Sequence, residues 1–493
     1  MVKKVLIALP LVTALVATML RADVAAQNAA TVIGTASKAM AAGNLASITF
    51  SGSAQNANFG QSKNIGTPWA PVAIVRIPSY TRTIDLNQPA SRAFGATQPP
   101  QAPGAPAPAP GNFNQNITPA QNDWTQQLEI WVTPWGFLKG AAANNATART
   151  AGGSTVVSWS PSLKAPSGQA YTVTGYINGQ NLVERVETRV EHPVLGDMLV
   201  EAEYSDYKDL GGLKVPGRIV QKRAGLQTFE ATVTSASANP PNLAELMTPP
   251  PAAGRGGPAG AAPAGGPPPP PAVEAQRLGD GVYRVTGNYA ALVVDMGDHI
   301  VVFEGGGSEA RGLEVIAAVK RAIPGKPIRY VVNSHAHFDH ASGLAPFAAE
   351  GATILTHQNN AAFLQRALSA PRTLVGDTLA KSPRKPIVEG VGDRQTLKGV
   401  NRTIDLYHVR DLEHSDGMLM GYLPNEKILQ TADFGIPNPG AAPALVNPSL
   451  TKLVENLDRL KLDFSTYFAV HPPNPDRPLT RADLMGAVGR AAQ

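Results

Sequence analysis

The stretch NSHAHFDHASG, Asn333 to Gly343, places three histidines and an aspartate within six residues, in a chain with nine histidines over 493 residues. Just upstream, PIRYVVNS reads as a buried-type strand ending at Ser334, which puts the cluster on a strand-to-helix loop. In extended backbone, residues i and i+2 point to one side, so His335 and His337 can grip one ion together. Asp339 and His340 follow the turn and can face a second ion. Three imidazoles this close would repel one another if protonated and gain little packing if neutral, so metal binding outweighs a structural role. The chain contains no cysteine. Any metal site must therefore be built from His, Asp and Glu, which suit Zn2+ or iron.

Working outward, the region from about residue 275 alternates strands with helices and predicts a layered α/β architecture. GVYRVTG, AALVVDMG and HIVVFEGGG read as strands. SEARGLEVIAAVKRAI then predicts a helix with Leu313, Ile316, Val319 and Ile323 on one face. ATILTH, TIDLYHV, GMLMGYLP, KILQTAD and STYFAVH supply later strands, and SLTKLVENLDRLKL a helix. The glycine-rich GGGSEARG lacks the spacing and the lysine of a phosphate loop and reads as a tight turn.

With these elements placed, H-x-H-x-D-H after a strand resembles the signature of the metallo-β-lactamase superfamily. Later strand-end motifs match in order: His414 in DLEHSDGMLMGYLP, Asp433 in KILQTADF and His471 in YFAVHPP. The resemblance covers about residues 276–475 and implies an αβ/βα sandwich. It further implies that His335, His337 and His414 hold one metal and Asp339, His340 and His471 another, with Asp433 bridging. Two divalent ions are implied, Zn2+ first, with iron or manganese as alternatives. Such an ion lowers the pKa of water from about 15.7 to roughly 7, and Asp339 is the expected catalytic residue that positions the nucleophile. An aspartate at 433 leans away from the lactamases proper, which usually carry cysteine or serine near there, toward general dinuclear hydrolases. The family's early-strand aspartate is replaced by Glu304, a candidate to orient the histidine loop. Ser342-Gly343 stands for the usual Gly-Gly, and Glu413 for a glycine at the pocket rim.

Other histidines read as ordinary: His357 and His408 as structural, His192 and His299 as solvated turn residues. Asn333 and Ser334 fit strand capping as well as substrate contact. Residues 28–245 predict a β-rich antiparallel domain. The Asn178-Gly179 turn precedes a strand in which Val186, Thr188 and Val190 alternate with Arg185, Glu187 and Arg189. Residues 170–240 resemble periplasmic lipoprotein-carrier-like domains, a resemblance that implies no catalytic residue, and the domain is expected to shape substrate access or to bind an apolar ligand. Trp124, Trp131, Trp135 and Trp159 could line a groove in its sheet, although core packing is their commoner fate. Residues 97–111 form a Pro/Ala-rich insert and 246–274 a Pro/Gly/Ala-rich linker to the domain 275–493.

The start, MVKKVLIALPLVTALVATML, reads as an export signal over residues 1–26, which predicts a periplasmic or secreted protein with no membrane span after its removal. Removal takes a net +2 from the formal +5 and leaves +3. That small excess predicts no nucleic-acid partner. The expected function is therefore an exported metal-dependent hydrolase using a metal-activated hydroxide on an ester, thioester, lactone, amide or phosphoester bond of a small molecule. The alternatives are a true β-lactamase and a catalytically idle envelope carrier.

Overall fold

A computed structural model describes residues 26–68, 74–98, 109–120, 123–249, 273–287, 289–437, 447–473 and 476–490. The expected export segment, most of the insert and most of the linker lie outside them. Among the described residues, no helix is long and apolar enough to cross a membrane.

The first half is a β-rich antiparallel sheet of twelve strands, running from Ala26–Gln27 at one edge to Gly111–Ile117 at the other. Alternation builds it. Along Val183–His192, Val186, Thr188 and Val190 are buried while Arg185, Glu187 and Arg189 are not, the burial a one-sided strand requires. Two distant segments close the sheet, where Leu226–Ala238 pairs with Ser47–Ala57. The Pro/Ala-rich insert joins a hairpin in which Thr97 lies opposite Gly111.

The tryptophan-rich stretch corrects the expectation that it belongs to the sheet. It forms two helices, Trp124–Trp131 and Pro134–Ala143. Asp123 caps the first by accepting from the Gln126 N–H (2.9 Å), and Thr133 caps the second by accepting from Gly136 (3.1 Å). Pro134 opens the second helix, where its missing N–H costs nothing. The tryptophans are core: Trp124, Trp135 and Trp159 are buried, and Trp124 meets Trp159 edge-on at 6.4 Å. Each such side chain contributes about 1.5–3 kcal/mol of burial. Trp124, Trp131 and Trp159 also border a cavity of about 210 Å³.

The second half is a sandwich of a seven-stranded and a six-stranded sheet. Val294, Phe303 and Leu355 of the first share one buried cluster with Leu406, Leu419 and Phe468 of the second. The sheets approach so closely at Gly421 that a β-carbon there would stand 2.3 Å from the Phe303 ring. Helices Glu309–Ala322, Leu344–Glu350 and Gln358–Leu368 bury their apolar side chains in the cluster that extends from the N-terminal sheet. Pro448–Leu460 and Arg481–Ala487 pack with the second sheet of the sandwich.

One helical face differs from expectation. Ile316, Val319 and Ile323 are buried as expected, but Leu313 is exposed, and Gly312, Val315 and Ala318 are buried beside them. The physical reason is a backbone contact: a β-carbon at Gly312 would lie 2.5 Å from the Gly343 carbonyl oxygen. The helix thus turns its glycine, rather than Leu313, toward the histidine loop.

Candidate metal centre

Three strand ends, a short helix and one loop deliver the site. Ile328–Val332 runs into His335 and His337, and the short helix Phe338–Ala341 carries Asp339 and His340. Ile428–Thr431 ends two residues before Asp433, and Thr466–Ala469 two before His471. His414 lies on the loop ahead of Leu419–Leu423. All seven sequence-derived residues come together in two groups: His335, His337, His414 and Asp433; and Asp339, His340 and His471.

Asp433 stands between the groups. Its Oδ2 lies 2.7 Å from His414 Nε2 and 3.1 Å from His335 Nε2. Its Oδ1 lies 2.9 Å from His340 Nε2 and 2.7 Å from His471 Nε2. Burial alone would raise the Asp433 pKa, but hydrogen bonds from these four imidazoles hold it well below the usual carboxylate range. Asp339 Oδ2 faces His340 Nε2 at 3.6 Å.

Outer contacts set the orientation of these rings. Glu304, fully buried, accepts from the Ser334 N–H (2.9 Å) and pairs with His340 Nδ1 (3.1 Å), so it reaches the histidine loop from the next strand, as expected of it. Burial disfavours a charge on His340, yet Glu304 and Asp433 push its pKa up to about 10. Burial, and His340 next, hold His335 well below its ordinary value; burial and His414 bring His337 to about 4. Neutral imidazole is the form that ligates.

His337 supplies the test of fit to a metal. Its Nε2 lies 3.1 Å from the Ser62 carbonyl, which can only accept, so Nε2 carries the proton. The lone pair is then on Nδ1, buried between His335 and His414 with no hydrogen-bond partner. An orphaned buried acceptor among imidazoles and a shared carboxylate suits a divalent cation such as Zn2+.

The turn beneath is held by close backbone packing. Gly343 donates to the Gly306 carbonyl (2.9 Å), and a β-carbon at 343 would stand 2.0 Å from the Gly305 oxygen. Glu304 and Asp433 both take positive φ, 73° and 48°.

Tyr289, Gln61 and Ser62 join the site without having been singled out from sequence. The Tyr289 hydroxyl donates to Asp339 Oδ2 (3.3 Å), and its ring meets His471 edge-on at 4.8 Å. Burial, with Asp339 beside it, pushes the Tyr289 pKa up to about 12. Gln61 Nε2 donates to Asp339 Oδ1 (2.6 Å).

Several other residues take definite places. His357 caps the helix Gln358–Leu368 and stacks on His408 at 3.9 Å, while His408 Nε2 donates to the Asp416 carbonyl (3.1 Å). Asn333 donates to the His340 carbonyl (3.3 Å) and accepts from Thr356 (3.2 Å), tying the histidine turn to the neighbouring strand. His192 and His299 are corrections. His192 is packed against Phe338 at 4.7 Å rather than solvated, and His299 is buried beside Asp298 at 2.7 Å. Both lie where the aromatic ring covers apolar neighbours, which a turn-like sequence context does not disclose. Glu413, expected at the rim, is exposed and pairs with Lys63 at 3.2 Å.

Residues 284–471 match the model of the family described as the metallo-beta-lactamase superfamily; the match does not reach the N-terminal sheet. No curated protein sequence matches the chain. Among solved structures, a flavodiiron protein from Giardia intestinalis is similar at 18% identity and TM-score 0.34, over 44% of this chain and 58% of that one. A metallo beta lactamase from Hirschia baltica is similar at 20% identity and TM-score 0.33, over 45% of this chain and 99% of that one. A sec-alkylsulfatase from a Pseudomonas species follows at 14% identity and TM-score 0.31, over 44% and 41%.

Proposed function

We propose that this chain, whose residues 284–471 belong to the metallo-β-lactamase superfamily, is an exported hydrolase dependent on two divalent ions, Zn2+ foremost. Its bond is an ester, thioester, lactone, amide or phosphoester in a small molecule. The observation that carries the reading is Asp433 placed between four imidazole nitrogens, two on each carboxylate oxygen. Divalent ions there would lower the pKa of water to roughly 7 and polarise the scissile carbonyl or phosphoryl group.

The chain's own groups do the rest. Asp339 is about a third exposed and aims one oxygen at His340, so it can reach both the cluster and solvent. In the reading, the water oxygen bonds to the scissile carbon or phosphorus, its proton passes to Asp339, and the leaving group departs with that proton. Tyr289, held protonated, donates to Asp339 and fixes its rotation. His335, His337 and His340 are buried, whereas His414 and His471 are about a third exposed, so substrate approaches from the side of the latter pair.

The test is metal content of the purified full chain, followed by turnover of chromogenic lactone, thioester, β-lactam and phosphodiester substrates. Asp339→Asn is expected to lower kcat by about 10²–10⁴-fold with the fold intact. Unchanged kcat would remove Asp339 from its role, and fewer than two ions per chain would sink the dinuclear reading. Export is tested by the N-terminal sequence of the mature protein. For the N-terminal domain the same reading carries an apolar ligand. Phe59, Tyr80, Phe113 and Phe229 line one side of a cavity of about 460 Å³ whose other lining is polar, with Arg82, Glu129, Gln221 and Arg223, and mass spectrometry of solvent extracts of the protein checks for such a ligand.

A further inference from the structure

The loop Asn58–Lys63 follows the strand Ser47–Ala57 of the N-terminal sheet and runs directly over the histidine turn. Gly60 O accepts from the Phe338 N–H (2.9 Å), Ser62 O from His337 Nε2 (3.1 Å), and Gln61 donates to Asp339 Oδ1 (2.6 Å). The loop also reaches the segment carrying His414: Lys63 O accepts from the Asp416 N–H (2.9 Å) and Lys63 Nζ pairs with Glu413. An aromatic cluster seats it, with Phe59 edge-on to Phe338 at 5.2 Å and His192 against the same ring at 4.7 Å.

From these contacts we infer that the N-terminal sheet is a working part of the metal centre: Ser62 and Gln61 are positioning residues, one for each group of ligands. The Ser62 carbonyl fixes the His337 tautomer and aims Nδ1 at His335 and His414. A ligating histidine whose other ring nitrogen is held in this way is both oriented and made more basic. The Gln61 amide on Oδ1 and the Tyr289 hydroxyl on Oδ2 together fix the rotation of Asp339, with Oδ2 toward His340. Both contacts reach the sandwich from the N-terminal sheet, so that sheet cannot be removed without loosening both halves of the site. This inference rests on the dinuclear reading and adds to it the origin of the ligands' orientation.

Two substitutions test the loop, the first displacing it and the second removing the Gln61 contact alone. Gly60 has φ +85°, and a β-carbon there would stand 2.1 Å from the Phe338 ring, which Phe59 and His192 confine. Gly60→Ala therefore lifts the Ser62 carbonyl from His337. Gln61 is exposed, so Gln61→Ala removes only the amide and carries little risk to folding.

The full-length chain is titrated with Co2+, following uptake of each ion by calorimetry and by the visible ligand-field bands, with Tm of the metal-free protein as a control. Gly60→Ala is expected to weaken the ion at His335, His337 and His414 by about 10–100-fold. Gln61→Ala is expected to weaken the ion at Asp339, His340 and His471 by about 10-fold, change its bands, and leave the other ion and the Tm unchanged. Wild-type affinity at both sites in Gln61→Ala, or equal weakening of both, overturns the inference whatever becomes of Gly60→Ala. A wild-type chain that takes up fewer than two Co2+ ions overturns the dinuclear reading and this inference with it.

Discussion

The C-terminal sandwich delivers seven candidate ligands from the ends of its strands, whereas the N-terminal sheet delivers a carbonyl and an amide from one loop. The first contribution needs particular side chains, because only imidazole and carboxylate have the lone pairs a hard or borderline cation takes. The second is mostly main chain, which any sequence can supply once the fold brings it there. Ligand chemistry and ligand orientation are thus divided between two halves of the molecule, and only one half shows its role in its residue types.

The sharpest way to break that division is at the shared carboxylate. Asp433→Ala removes the one group that touches both sets of imidazoles. It should abolish uptake of both ions and lower turnover by about 10³-fold, in line with the ~4 kcal/mol of losing a partner from a buried charged cluster. Atomic absorption and kcat/KM measure it, and retention of both ions would show that the sandwich does not hold them through Asp433. A smaller effect is expected within the same half at Glu304, which holds two segments of the histidine turn but no ion. Glu304→Gln keeps the shape and loses the charge facing His340, so metal affinity should fall about 10–100-fold with stoichiometry retained. Chelator competition gives the number, and an unchanged affinity would leave orientation to the N-terminal loop alone.

The smallest effect tests the contact between the halves. Burial, with Arg223 and Arg372 nearby, lowers the His192 pKa to about 3. A folded-state value below the ordinary ~6.5 means that the unfolded chain takes up a proton the native chain refuses. Stability from this residue is therefore full above about pH 6.5 and is lost as pH falls toward 3, at about 1.4 kcal/mol per unit. His192→Asn retains an acceptor for the Val194 and Leu195 N–H groups that His192 Nδ1 now serves. Urea unfolding of both proteins at pH 7 and pH 4.5 should show the difference between them moving about 2–3 kcal/mol in the variant's favour at the lower pH. No movement would mean that His192 titrates freely and the seam between the halves is open.

These contrasts explain what could be read before the structure. His335, His337, Asp339, His340, His414, Asp433 and His471, which the structure brings together, were legible because each is a ligand type at the end of an apolar run. The strands of the sandwich were legible for the same reason, their apolar runs being bounded by turn residues. Gln61 was not, since 278 positions separate it from Asp339 and a glutamine in a loop has no signature of its own. Tyr289 was hidden beside an apolar strand, where an aromatic reads as core. The helices Trp124–Trp131 and Pro134–Ala143 were masked by aromatic content, although Asp123 and the Thr133-Pro134 pair are ordinary start signals that would have found them. Leu313 shows a further limit: the helical period locates a face, but a glycine contact from another segment chooses between adjacent faces.

Glu304 and Asp433 share a property with a consequence of its own. Both hold carboxylates on backbone with φ of 73° and 48°, a region in which glycine rests comfortably and other residues pay about 1 kcal/mol or more. Glycine would relieve that strain, but it would leave Ser334 N–H and His340 without Glu304 and four imidazoles without Asp433. Asp433→Gly should therefore relieve the backbone penalty of the metal-free chain even as it destroys the centre. At these two turns, strained backbone accompanies a carboxylate held against buried imidazoles.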